Sequence, residues 1–114
     1  AMGKDLRNLE RFKEEGVTYM TLCHNGSNDL CDSAVGEPEW NGLSPLGKEA
    51  VKEMNRLGIM VDVSHASEAT FYDVMKESSV PVIASHSSVR ALCDHPRNLT
   101  DDQIRAIAAK GGVV

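Results

Sequence analysis

The chain has no run approaching the ~20 apolar residues that cross a bilayer, and its opening Ala1-Met2-Gly3-Lys4 lacks the apolar core of a secretory signal. No membrane segment is expected within it. Ala1-Met2 reads as a cloning remnant. There is also no basic run and no interleaving of aromatic with basic residues, and the formal net charge is −5 with a pI of about 5.3. That balance excludes the phosphate backbone of a nucleic acid as a partner, and the acidic excess reads as solvated surface. Cysteines are few: Cys23, Cys31 and Cys93, an odd number with no CxxC spacing. This argues against a disulfide scaffold and favours a reduced compartment such as the cytoplasm. Structural zinc sites bring their ligands in closely spaced pairs, which argues against joining Cys93-Asp94-His95 to Cys23 or Cys31 in a metal site.

What is present describes one ordinary globular unit. The 114 residues, 41% hydrophobic and 25% charged, are enough for a single domain with a modest core. The most informative stretch runs from Gly58 to Arg97 and contains one phrase twice: Ser64-His65-Ala66-Ser67 and Ser85-His86-Ser87-Ser88. Each phrase ends an apolar, β-branched run, Ile59 to Val63 in one case and Val80 to Ala84 in the other, and such runs read as buried strands. The segment between them, 67–79, reads as a helix opened by Ser67, with Phe71, Val74, Met75 and Ser78 on its buried side.

Two parallel strands joined by a helix thus carry a histidine at the carboxyl end, where α/β folds hold ligands. By strand alternation His65 shares a face with Val63 and Val61, and His86 with Ala84 and Val82. Two imidazoles converging there would begin a zinc site. Alternation places Asp62 on the opposite face, answering a neighbouring helix rather than a metal.

The rest of the chain continues the alternation. Residues 5–15 read as a helix capped by Asp5, with Leu6, Leu9 and Phe12 at its core face and Gly16 as its stop. Residues 17–24 read as a strand that also ends in histidine, His24. The polar stretch 25–42, with Pro38 and the only tryptophan, Trp40, is either a cover for the same mouth or a surface excursion. Ser44-Pro45 opens a helix whose stripe is Leu46, Ala50, Val51, Met54 and Leu57, closed by Gly58. Met54, Met60 and Met75 read as core filling. Arg90, Cys93, His95 and Arg97 lie in a loop, with His95 before Pro96 as a turn residue. Thr100 to Gln103 has the form of a capping box, with Ile104, Ile107 and Ala108 facing inward. Gly111 to Val114 reads as the start of another strand. The order calls for α/β architecture, about three to four parallel strands alternating with helices, as a small open sheet or as a partial TIM-type (β/α)8 barrel, a complete one needing ~250 residues.

The residues resemble those of the membrane (renal-type) dipeptidases, binuclear zinc dipeptidases of the amidohydrolase-like barrel group. The resemblance is carried by residues 16–25 (Gly-Val-Thr-Tyr-Met-Thr-Leu-Cys-His-Asn), Asn41-Gly42-Leu43-Ser44, residues 53–65, residues 81–88, and Arg97-Asn98 followed by Asp101-Asp102. It implies that residues 1–114 form a single partial domain, the central segment of the barrel, from about the fourth strand to the start of the seventh. It implies zinc as cofactor and a dipeptide as substrate, the peptide bond being cleaved by a hydroxide shared between two zinc ions. His65 and His86 match two histidine ligands of one zinc. His24 matches a histidine that polarises the scissile carbonyl or steadies the oxyanion, and Arg97 an arginine that engages the substrate carboxylate. Arg90 is the competitor for that role, and an ion pair with Asp94 is the plain alternative for Arg97.

The family's His-x-Asp pair, bridging glutamate and last-strand aspartate have no counterpart in these residues. At most one partial zinc site is therefore expected here, and no catalysis by the 114 residues alone. Two other readings stand beside this one. The chain is a noncatalytic structural module that forms a homo-oligomer through open sheet edges, or it derives from another amidohydrolase-like hydrolase, such as a deacetylase or lactonase.

Overall fold

A computed structural model of the chain describes residues 2–114. Four helices and two regular strands follow one another as α1 (Arg7–Glu14), β1 (Tyr19–Thr21), α2 (Pro45–Leu57), β2 (Met60–Asp62), α3 (Glu68–Glu77) and α4 (Asp101–Ala109). β1 and β2 pair in parallel, with Tyr19 opposite Met60 and Thr21 opposite Asp62. Beyond β2 the parallel ladder continues through single bridges, Asp62 to Ile83 and Ile83 to Val113. The alternation of helix and extended segment is as the sequence predicts, but the segments at 80–84 and 111–114 are not regular strands. Pro81 has no N–H to donate, so pairing begins only at Ile83, whose N–H meets the Val61 carbonyl at 3.0 Å. The strand expected over 17–24 is likewise confined to three residues.

The helices begin where local chemistry dictates. Ser44 accepts from the Gly47 N–H, Ser67 from the Thr70 N–H, and Thr100 forms the full reciprocal box with Gln103. Each such cap contributes about 1 kcal/mol. Gly58 ends α2 in the left-handed region, φ 74°, a conformation with no steric penalty only for glycine. α1 departs from expectation at its start. Leu6 holds the cap position without a side-chain bond, while Asp5 Oδ1 accepts the Arg7 N–H at 3.0 Å.

The core lies between the helices and the ladder and includes Leu9, Val51, Met54, Val61, Phe71, Val74, Val82 and Ile107, all essentially inaccessible. Met75, Leu46, Leu57 and Ile104 pack against it from its margin. Ala108 is exposed, and Ala106 takes the place expected for it against the core. Removing these surfaces from water, at roughly 25 cal/mol per Å², holds the layers together. The bonds at the helix ends and ladder fix their register. The carboxyl ends of all the extended segments therefore open on one side.

Candidate metal centre

Three imidazoles meet at that end. The His24 and His65 ring centroids are 4.3 Å apart, and those of His65 and His86 are 4.8 Å apart. The convergence expected of His65 and His86 is present, but strand alternation does not produce it. β2 stops at Asp62, and the chain turns back through residues 63–66, with the Ala66 N–H on the Val63 carbonyl at 3.1 Å. His65 occupies the left-handed position of this turn, φ 69°. A non-glycine residue held there is strained by about 1–3 kcal/mol and persists only where its surroundings impose it. His65 is 4% exposed, so it is the buried member of the trio, while His24 and His86 are open.

Against expectation, Asp62 does not answer a helix: its carboxylate is buried on the site's side of the ladder, near His86. Oδ1 accepts the N–H groups of Ser64 and Ser85, each at 3.0 Å, and Oδ2 accepts the hydroxyls of Thr21 and Ser85. Ser64 Oγ in turn accepts the His86 N–H at 3.0 Å. The two Ser-His phrases are thus bound to one acid and to each other. The seryl residue before each histidine, repeated in the sequence, is the signal that points to this arrangement.

The fit to a metal can be judged from the ring nitrogens. His65 Nδ1 lies 3.1 Å from Asn25 Oδ1, the side-chain amide oxygen and an acceptor, so Nδ1 carries the proton. Ser85 Oγ donates to Asp62 and therefore accepts from His86 Nδ1 at 2.7 Å. Both rings consequently offer an unprotonated Nε2, the tautomer that outer hydrogen bonds impose on metal-binding histidines. Burial, followed by the nearby Arg97 guanidinium and then by the two other rings, holds His65 below the ordinary imidazole pKa and therefore neutral. Two imidazoles that each present Nε2 fit half of a tetrahedral zinc shell. Among the described residues no group of three or more His, Cys, Asp or Glu side chains is arranged to hold a metal ion.

Arg97 joins the trio. Its Nη2 donates to the His86 carbonyl at 3.1 Å, and its Nε is buried without a partner among the described residues. It makes no ion pair with Asp94. Arg90 is occupied elsewhere, with Nε on the Asn98 carbonyl and Nη2 on the Pro96 carbonyl. His95 accepts the Arg97 N–H on Nδ1, as a turn residue.

The 25–42 stretch reaches the mouth. The Ala34 N–H meets the His65 carbonyl at 2.7 Å, and the Ser33 hydroxyl bonds the His24 and His65 carbonyls. Its hub is Asp32, which the sequence did not single out: its carboxylate accepts the N–H groups of Glu39, Trp40 and Gly42. Trp40 lies outside, half exposed, its indole N–H on the Asn28 carbonyl. Cys23 and Cys31 are buried thiols and Cys93 is an exposed one.

Known proteins resemble the chain in sequence and in fold. A 48% identical relative is the dipeptidase verJ of Clonostachys rogersoniana, matched over 95% of this chain and 27% of its own length. An amidohydrolase from Pseudomonas aeruginosa superposes with a TM-score of 0.92 at 38% identity, over 99% of this chain and 34% of that one. A metallo peptidase from Rhodobacter sphaeroides, liganded with a phosphinate mimic of the dipeptide L-Ala-D-Ala, superposes with a TM-score of 0.88 at 33% identity, over 97% of this chain and 33% of that one. The chain spans about a quarter of the length of the curated relatives it matches. The model of the membrane dipeptidase family, peptidase family M19, matches residues 1–114, and the chain belongs to that family.

Proposed function

We propose that residues 1–114 are the central segment of the (β/α)8 barrel of a zinc-dependent dipeptidase, which hydrolyses the peptide bond of dipeptides. The observation that carries this reading is the meeting of three imidazoles and Arg97 at the carboxyl ends of a parallel ladder. His65 and His86 would hold one of two zinc ions through Nε2, with Asn25 and Ser85 fixing their tautomers. Arg97 offers guanidinium N–H donors to the carboxylate of the substrate, and His24, open to solvent beside His65, faces the scissile carbonyl. When bound, zinc supplies Lewis acidity, lowering the pKa of water and polarising that carbonyl. A dipeptide as substrate class agrees with the dipeptide mimic held by the Rhodobacter relative.

Two imidazoles are short of a complete shell, so the isolated 114 residues are inactive, and the remaining ligands come from other parts of the enzyme. Among the described residues no helix is long and apolar enough to cross a membrane. In the isolated chain, the outer edge of β1 and the Val113 segment are where a second copy would pair, which sedimentation would detect as a dimer.

The test is zinc content and dipeptide hydrolysis by the full-length enzyme. His65→Ala and His86→Ala should each lose zinc and lower kcat/KM by more than about 100-fold, the upper range for loss of an outer-shell partner alone. Retention of zinc and full rate by either variant would refute the assignment. The Pseudomonas amidohydrolase favours a second reading, hydrolysis of another acyl bond. Rates on dipeptides, lactones and acylated amines separate the two.

A further inference from the structure

We propose that Arg90 is a positioning residue for Arg97, a role that rests on the reading above of Arg97 as the group that receives the substrate carboxylate. Arg97 sits in a stretch without helix or strand, and its long side chain is aimed by the backbone that carries it. Arg90 grips that backbone on both sides. Its Nη2 donates to the carbonyl of Pro96 at 3.0 Å and its Nε to the carbonyl of Asn98 at 3.1 Å, the residues immediately before and after Arg97. The Arg90 N–H adds a third bond, to the Leu99 carbonyl at 2.8 Å.

One rigid, planar fork thus brackets Arg97, a task for which a guanidinium is suited and a lysine ammonium, a single point of donors, is not. The far edge of the same guanidinium, Nη1, lies 3.9 Å from Glu68, the first residue of α3, which follows the His65 turn. Arg90 therefore ties the backbone around Arg97 to the element that leaves the candidate metal site. The Arg97 side chain itself has one bond, to the His86 carbonyl, and a buried Nε without a partner among the described residues, so nothing in its own contacts fully determines its aim. Beside Arg90 lies an open cavity of about 470 Å³ that it lines with Ser67, Glu68 and Pro96, wide enough to admit a small guanidinium ion.

The test uses the full-length, zinc-loaded enzyme with a dipeptide and with the same dipeptide as its carboxyl-terminal amide, which offers Arg97 no carboxylate. Arg90→Gln should raise KM for the dipeptide about 10-fold or more, with a much smaller change in kcat, because displacement by about an ångström weakens a positioned contact severely. KM for the amide should not move. Arg90→Lys should fall between, and guanidinium ion added to Arg90→Ala should restore the low KM. Arg97→Gln should abolish the preference for the dipeptide over the amide, and adding Arg90→Gln to it should change nothing further. If Arg97→Gln keeps the preference, the carboxylate reading of Arg97 fails. If Arg97→Gln loses it while Arg90→Gln and Arg90→Lys keep it, or if Arg90 variants slow both substrates equally, the positioning role is overturned.

Discussion

Asp62 and Ser85 are bonded twice: the Ser85 N–H donates to Asp62 Oδ1 at 3.0 Å, and the Ser85 hydroxyl donates to Oδ2. With Ser64 and Thr21 on the same carboxylate, one acid joins the ends of three neighbouring extended segments. Burial alone would push this carboxyl's pKa up. The hydroxyls of Ser85 and Thr21 and the two N–H groups outweigh burial and hold it below the usual carboxylate value. Because His86 donates its Nδ1 proton to the same Ser85 hydroxyl, the acid also sets the tautomer of a candidate ligand.

The contrast between Asp62→Ala and Asp62→Asn measures this role. Alanine strands two N–H groups and two hydroxyls and is expected to destabilise the full-length enzyme by about 3 kcal/mol or more, at about 1–3 for each unsatisfied buried donor. Asparagine keeps one acceptor for the N–H pair, and the hydroxyls can rotate to accept its amide, so its loss should be about 1–2 kcal/mol. In zinc-competition titrations Asp62→Asn should weaken binding about 10- to 100-fold, as expected of an outer-shell group. Urea denaturation supplies the stability values, and equal losses for both variants would contradict the shared-acceptor role.

Asp32 predicts an acid-sensitive loop. Burial pushes its pKa up, but the N–H groups of Glu39, Gly42 and Trp40 together hold it below the ordinary 3.8. A depressed carboxyl contributes stability that is fully present above its unfolded value and is lost as pH falls through its lower folded value. The 39–42 segment should therefore open only in acid below 3.8, seen as faster hydrogen exchange there after correction for intrinsic rates. Asp32→Asn should exchange faster already at neutral pH and show little further acid effect. Matching profiles for the two proteins would contradict the assignment.

How much of this was legible in the sequence depends on how local each signal is. Ser44-Pro45 with Gly58, and Thr100 with Gln103, mark helix ends within a few residues: α2 begins and ends where its signals stand, and α4 begins where its box does. The repeated Ser-His phrase after a β-branched run correctly brought His65 and His86 together. The means was not legible: alternation assumes that the strand continues, whereas it ends at Asp62 and a left-handed His65 turns the ring inward. The bond from Ser85 to Asp62 spans 23 residues and exists only once both segments lie side by side. Arg90 was a rival of Arg97 in the sequence, and only the closed loop makes it a support.

Gly47 gives a packing prediction whose sign is decided by competing terms. It lies in the first turn of α2, its N–H on Ser44 Oγ at 2.9 Å, and the Leu30 carbonyl presses directly against its Cα. Alanine would gain up to about 1 kcal/mol of helix propensity. Its Cβ, however, would be driven into that carbonyl oxygen, with Leu43 Cδ2 a further 3.1 Å neighbour. The obstruction is backbone, and the Leu30 carbonyl also accepts the Ser44 N–H at 2.8 Å, so yielding would loosen the cap itself. Overpacking should prevail, with Gly47→Ala destabilising by about 1–3 kcal/mol. Gly26→Ala is the counterpart: a Cβ there meets nothing within 4 Å, and its effect should stay within about 0.5 kcal/mol of neutral. Thermal unfolding of both variants decides the matter, and a Gly47→Ala protein as stable as wild type would mean that the 25–42 loop does not rest on α2 as described.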